Sequence, residues 1–258
     1  MTRVFITGSS DGLGLMAGRL LAGSGHDVTL HARNERRAED AVRGLPAAAG
    51  VVVGDVSTLA GMRAVAEQAT ARQAFDAVIH NVGIGHQERA RVRTEDGLAH
   101  VFAINVLAPY VLTALLPVPG RLVYLTSGLH RGGDPGLDDL QWERRRWVGT
   151  QAYSDSKLWD VVLAFAAARR WPSVASNAVD PGWVATKMGG PEAPGDLARG
   201  AETQAWLAVD DAAAGETGGY FYHQRRYPAH PDAGDVDLQE RLLSACAELS
   251  GVSLPAAG

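Results

Sequence analysis

Short apolar runs rich in β-branched residues alternate with longer helix-patterned segments along almost the whole chain. Val4-Phe5-Ile6 precedes a stretch to about Ala22, and Val28-Thr29-Leu30 precedes one from Glu35 to Arg43. Val51-Val52-Val53 leads into Leu59–Arg72, and Ala77-Val78-Ile79 into a long helix from about Asp96 to Leu116. Leu122-Val123-Tyr124-Leu125 is followed, after an insertion, by a helix from about Ala152 to Arg170; Ala175–Val179 reads as a sixth strand and Gly219–Tyr222 as a seventh. Runs this short, without polar alternation, suit strands covered on both faces. Repeated strand–helix units imply right-handed crossovers and an α/β fold: a doubly wound parallel sheet of about seven strands with helices on both faces. No internal repeat or low-complexity linker breaks the 258 residues, so 1–258 is expected to form a single domain.

Two segments depart from the rhythm. Gly128–Thr150 contains Gly132-Gly133, Asp134-Pro135-Gly136 and three consecutive arginines; Gly189–Gly195 carries Pro191 and Pro194 before a helix-like stretch. Both follow carboxyl ends of strands, where open α/β sheets bind ligands, so 128–152 and 187–208 are expected to be substrate lids, with 223–258 a C-terminal extension. Trp142, Trp147, Trp183 and Tyr220-Phe221-Tyr222-His223 either line a broad apolar pocket or cover loop bases and interfaces.

Composition narrows the function classes. A net charge of −5 argues against a nucleic-acid partner, and the scattered pairs and triplets of arginine read as solvated faces or local ion-pair partners. The single Cys246 excludes an internal disulfide. His223 and His230 have no metal-ligand spacing, so no metal is expected. Without a signal-peptide pattern or an apolar run near the ~20 residues of a membrane span, no membrane association is expected and a cytoplasmic location is.

The first strand–helix turn reads Thr7-Gly8-Ser9-Ser10-Asp11-Gly12-Leu13-Gly14. Glycines allow backbone to approach a pyrophosphate, and a helix N-terminus offers free N–H groups to its charge. The turn therefore points to a dinucleotide and a Rossmann-type sheet. At the end of the second strand an acid would bond a ribose 2′-hydroxyl; here Ala32 occupies that place and Arg33-Asn34 follow, favouring NADP(H) over NAD(H). Asp55-Val56, after the third strand, would flank the adenine, unless Asp55 caps the next helix. Tyr153 and Lys157, four apart, share a helix face, so the ammonium can lower the phenol from its usual value near ~10 and make it a proton donor or acceptor. Ser127 ends a strand at the ligand-bearing edge.

Together these features resemble one family. Thr7-Gly8-x-x-x-Gly12-x-Gly14, Asn81-Val82-Gly83, Asn105, Ser127, Tyr153-x-x-x-Lys157 and Pro181-Gly182-Trp183-Val184-x-Thr186 occur in the order of the short-chain dehydrogenase/reductases. Tyr153-Ser154-Asp155-Ser156-Lys157-Leu158 and Asp96-Gly97-Leu98 before Asn105 resemble the retinol-dehydrogenase-like branch. The resemblance implies Tyr153 as general acid/base, with Lys157 lowering its pKa and holding the nicotinamide ribose. Ser127 would orient the substrate oxygen, and Asn105 would hold a water linking Lys157 to solvent. Gly8, Ser9, Ser10, Asp11, Gly12, Leu13, Gly14, Asn81, Val82 and Gly83 would surround the cofactor, and Pro181, Gly182, Val184 and Thr186 would flank its nicotinamide. Val82 replaces a usual alanine, and Asp11 stands where many NADP-preferring members place a base, which weighs against the Arg33 argument. The implied activity is hydride transfer between NADP(H) and a small carbonyl or alcohol. The alternative is a catalytically silent NADP(H)-sensing binding protein. By analogy with the family, a homodimer through the helices around Asn105 and Tyr153 is one expectation; a monomer, with the Gly128–Thr150 insertion obstructing such packing, is the other.

Overall fold

The structure, a computed structural model, describes residues 1–256. Eight strands form one sheet in the order β3-β2-β1-β4-β5-β6-β7-β8. They are β1 (Arg3–Ile6), β2 (Asp27–Ala32), β3 (Gly50–Val53), β4 (Ala77–His80), β5 (Arg121–Leu125), β6 (Ala175–Asp180), β7 (Gly219–Tyr222) and β8 (Arg225–Tyr227). The first seven pair in parallel; β8 runs antiparallel to β7. This eighth strand is not expected from the sequence. Its two-residue turn, His223-Gln224, has φ of 48° and 58° without the glycine or asparagine that normally marks such a hairpin.

Successive strand residues feed two cores. Val4, Ile6, Ile79, Val123 and Leu125 face one layer, made by α1 (Gly12–Gly23), α2 (Glu35–Gly44) and α7 (Leu197–Val209). Phe5, Val78, Leu122 and Tyr124 face the other, made by α3 (Leu59–Arg72), α5 (Ala108–Leu115), α6 (Gly149–Arg170) and α8 (Val236–Ser250). Each fully buried aliphatic side chain contributes about 1.5–3 kcal/mol, which explains why four to six residues suffice for each of β1–β7. The chain leaves β1 toward β2 and β3, then returns to β4 on the other side. The crevice at this reversal is where ligands bind in such sheets.

Several expected boundaries move, each for a local reason. The helix anticipated from Asp96 starts at α4 (His100–Phe102): Gly97 has φ of 78°, and Asp96 instead accepts the Leu59 N–H at 2.8 Å. A π-helical turn, Ala103–Leu107, then leads into α5. Pro109 lacks the N–H that would bond the Asn105 carbonyl four residues back, so the ladder widens at Asn105. Within 187–208, expected as a lid, α7 packs on α1 and the sheet as part of the core. At the other insertion, Gly128–Gly132 is a 3₁₀ turn lying on α6, and α6 itself begins at Gly149. Within the extension, α8 packs on α6 and α5; the last two residues of 223–258 lie outside the described residues. No helix among the described residues is long and apolar enough to cross a membrane.

Candidate active site

The glycine turn joins β1 to α1 and is held by its neighbours rather than by its own side chains. Gly8 has φ of 60°, and a Cβ there would lie 2.8 Å from Val82 Cα. A Cβ on Gly14 would lie 2.5 Å from Asn81 Nδ2 and 2.7 Å from the Gly8 carbonyl oxygen. Asn81 Nδ2 donates to the carbonyls of Thr7 and Gly8, both at 2.9 Å, so its side chain clamps the turn. Ser9 is likewise committed: its Oγ donates to the Ile6 carbonyl and accepts the His31 N–H. His31, unmarked in the sequence reading, accepts the Gly8 N–H on Nδ1 and donates from Nε2 to Gly54, and its burial pushes its pKa down. Asp11, the N-cap residue of α1, makes no side-chain cap, unlike the caps of α2, α3, α7 and α8. The first amides of α1 are thus left for an anion, and Gly12 opens toward Thr186 Cγ2, 3.9 Å from where its Cβ would be. Leu13 packs into the α1 core.

At the ribose edge, Arg33 is exposed beyond β2 and carries no side-chain hydrogen bond or ion pair among the described residues. Asn34 caps α2 through the Arg37 N–H at 3.0 Å. Arg37 is a second cation that the sequence reading missed: it reaches Ser10 Oγ at 3.1 Å and Asp11 at 2.6 Å. Lys187 meets the same Asp11 carboxylate at 2.5 Å from the opposite wall. Partial burial pushes that carboxyl up, but Lys187 and Arg37 together hold it below its ordinary value. The acid at position 11 is therefore neutralised. Asp55 accepts the Ser57 N–H while Thr58 caps α3, and the Val56 side chain is buried in the core.

The proton-transfer residues meet at the other side of the crevice. Ser127 follows β5, where its Oγ accepts the Leu129 N–H at 3.3 Å; its hydroxyl is one of the groups that pull the Tyr153 phenol's pKa down. Lys157 Nζ lies 5.8 Å from the Tyr153 ring centre and donates to Leu125 O and Asp160 Oδ2, both at 2.8 Å. Burial raises the phenol's pKa more than Lys157 and Ser127 lower it, with Asp160 and Asp180 adding to the rise. This corrects the expected net lowering by Lys157: in the chain alone the phenol is shifted upward. Asn105, on the π turn, spans to the β4 loop by accepting the Ile84 N–H at 2.8 Å and donating to its carbonyl. Its amide also donates to Ser156 Oγ at 2.9 Å, tying it to α6. A Cβ on Gly83 would sit 3.5 Å from both Asn105 Oδ1 and Lys157 Nζ, so a glycine keeps open the space between them.

The segment after β6 closes over this corner. Gly182, at φ of 80°, turns the chain away from the sheet just after Pro181. Val184, expected beside the nicotinamide, is buried and bridges Gly195, while Thr186 Oγ1 accepts the Gly189 N–H. Met188, absent from the sequence reading, places its sulfur 3.8 Å from Tyr153 Oη, and its carbonyl accepts from Gln87 of the β4 loop. The aromatics divide. Tyr220 and Phe221 are core, Trp142 and Trp147 pack together at 5.5 Å within the insertion, and Trp183 is exposed. No group of three or more potential metal ligands occurs among the described residues.

The cradle fits a dinucleotide: added Cβ atoms would fill it, the α1 amides face it, and cations line its ribose end. Comparison with known proteins agrees. The family model described as short chain dehydrogenase matches residues 2–128. An uncharacterised oxidoreductase of Emericella nidulans is 45% identical over 99% of both chains. A crystal structure of an uncharacterised protein from Mycobacterium paratuberculosis superposes with a TM-score of 0.84 at 27% identity, covering 99% of this chain and 95% of that one. A blue fluorescent protein from a metagenomic library, solved with NADPH, gives 0.69 at 25% identity, over 85% and 95%. By the order of its glycine turn, Asn105, Ser127, Tyr153 and Lys157, and by full-length similarity, this chain is an oxidoreductase of the short-chain dehydrogenase/reductase family.

Proposed function

We propose that the protein transfers a hydride between NADP(H) and a small carbonyl or alcohol substrate, with Tyr153 as the general acid/base. The observation that carries this reading is the convergence of Ser127, Tyr153 and Lys157 on one corner of the crevice, opposite the glycine turn. Bound NADP(H) supplies the hydride in reduction and accepts it in oxidation. The backbone of Gly8–Gly14 and the first turn of α1 hold its pyrophosphate, and Arg33 pairs with the 2′-phosphate. Neutralisation of Asp11 by Lys187 and Arg37 supports NADP over NAD, as does the NADPH in a structural relative. Ser127 holds the substrate oxygen by a hydrogen bond; Tyr153 gives or takes the proton at that oxygen; Lys157 supports the phenolate that results. Asn105 fixes the β4 loop against α6 and leaves the gap beside Lys157 through which a water can pass.

Met188 covers Tyr153, so substrate entry requires the segment after β6 to move; this segment, rather than the whole of 187–208, is the lid we propose. α8 and the insertion lie on α6, so a homodimer through α5 and α6 would require them to move, and we propose a monomer at that face. The cytoplasm is the proposed compartment.

One observation favours the silent, NADP(H)-sensing alternative: the Tyr153 hydroxyl faces a methionine sulfur and Lys157 is engaged by Asp160. Measuring NADPH consumption against a panel of aldehydes and ketones separates the two. Stoichiometric conversion of at least one compound is expected; NADPH binding with no consumption across the panel would support the silent reading.

A further inference from the structure

Beside the corner that holds Tyr153 stands the protein's most exposed tryptophan. Trp183 is 61% exposed, although an indole is among the side chains that gain most from leaving water. Its ring is not loose. Nε1 donates to the Gly189 carbonyl at 2.8 Å, and Gly189 follows Met188, whose sulfur lies 3.8 Å from Tyr153 Oη. The indole is therefore carried on the same short loop that covers the phenol. Tyr222, at the end of β7, reaches this turn as well: a Cβ on Gly182 would lie 3.2 Å from its Cε2. His223 and Tyr227 brace Tyr222 in turn, at ring distances of 3.9 and 6.1 Å. On the β5 bank, Leu129 donates its N–H to the Ser127 hydroxyl and leaves its own apolar side chain exposed.

Charged groups near this mouth already have partners. Lys187 pairs with Asp11. Asp180 accepts the Tyr220 hydroxyl at 3.0 Å and the Gly182 N–H at 2.8 Å. Arg131 lies over the Tyr220 ring and donates to the Pro228 carbonyl. A ligand arriving here meets flat aromatic faces and a thioether rather than an ion in need of a counter-charge. Met188 must yield for entry, and an unbranched thioether does so while keeping a favourable contact with an incoming ring. An exposed, tethered indole gains both buried area and stacking from a flat apolar body.

We propose that Trp183, flanked by Met188 and Tyr222, is a specificity-determining residue: a platform for the flat, uncharged body of an aryl ketone or aryl aldehyde whose carbonyl reaches Ser127 and Tyr153. The inference rests on the reading of that corner as the hydride-transfer site. In reduction the carbonyl carbon gains the hydride and NADPH is oxidised. The Tyr153 O–H bond breaks to complete the aryl carbinol, and the tyrosinate recovers a proton from solvent.

Acetophenone and cyclohexyl methyl ketone share a carbon count and differ in whether the ring is flat. The first readout needs no turnover: each ketone is titrated, by ligand-observed NMR, against the wild type loaded with NADP+, which has no hydride to give. Acetophenone is expected to bind about fivefold more tightly, and in Trp183→Ala the two dissociation constants should converge. In steady-state reduction with NADPH, the loss should fall on KM for acetophenone rather than on kcat. Trp183→Phe cannot bond Gly189 but keeps a ring, so it should retain most of the preference. Equal binding of the two ketones by the wild type, or binding of neither, overturns the proposal. So does a preference that survives in Trp183→Ala, or one lost equally in Trp183→Phe, which would reduce Trp183 to a tether for the loop. The underlying reading fails separately: full turnover of acetophenone by Tyr153→Phe would remove Tyr153 from proton transfer, while aryl-selective binding to the NADP+ complex would still uphold the platform.

Discussion

The two walls of the crevice are built on different principles. The glycine wall uses backbone: Ser9, Asn81 and His31 are consumed in holding a turn whose shape excludes side chains. The tyrosine wall uses charge: Lys157 and Asp160 sit buried beside a phenol, and the fold positions them through Ser156, Leu125 and Thr126. A change in the first wall acts by collision and should impair binding. A change in the second acts by uncompensated charge and should alter protonation or stability.

Lys157→Met offers the most severe way to break this contrast. It strands Asp160 in the interior and should destabilise the protein by about 3–5 kcal/mol in urea unfolding, with much of the loss recovered when Asp160→Leu is added. An unchanged midpoint for Lys157→Met would mean that the pair is solvated. On the opposite wall, Gly14→Ala drives a methyl into Asn81 and the Gly8 carbonyl. The expected cost is about 1–3 kcal/mol of stability together with weaker NADPH binding by fluorescence titration. Normal binding would show that the turn has slack.

Acid sharpens the comparison through histidines that the fold keeps neutral. Burial lowers His80 to about 3 and also lowers His31. As pH falls through the unfolded value of about 6.5, the unfolded chain takes up protons that the folded one refuses, so stability is present above that value and lost below it. His80 alone should account for about 2 kcal/mol between about pH 7 and about pH 5, measurable by urea unfolding at each pH. A profile that is flat in wild type and in His80→Gln alike would contradict the burial.

Smaller effects belong to the ribose edge. Arg33→Ala should raise KM for NADPH about tenfold and leave that for NADH unchanged, since a charged hydrogen bond to the 2′-phosphate would be lost. Equal changes in both would remove Arg33 from the phosphate. The smallest effect is expected from Lys187→Ala. Its ion pair with Asp11 is largely exposed, so stability should change by less than about 1 kcal/mol, and a larger loss would show that the contact closes the crevice in solution.

Both walls were legible in the sequence only where their signals are local, and the reason is range. Strands, the glycine turn and the Tyr153–Lys157 spacing are local patterns readable from a few neighbouring residues. Even the π turn at Asn105 had a local signal in Pro109. Asp160 had none, because three residues after a lysine an aspartate is ordinary until burial gives it meaning. Arg37, Met188 and His31 matter only because distant segments fold against them. Helical patterning over Leu197–Val209 likewise does not reveal that the helix is packed against α1. The turn before β8 hid itself by using His223 and Gln224 at positive φ.

The decisive measurement is NADPH binding and carbonyl reduction in Tyr153→Phe, compared side by side with the wild type. The account predicts that the variant binds NADPH within about twofold of the wild type while turnover falls about a hundredfold to ten-thousandfold. Turnover equal to the wild type, with binding intact, would contradict it.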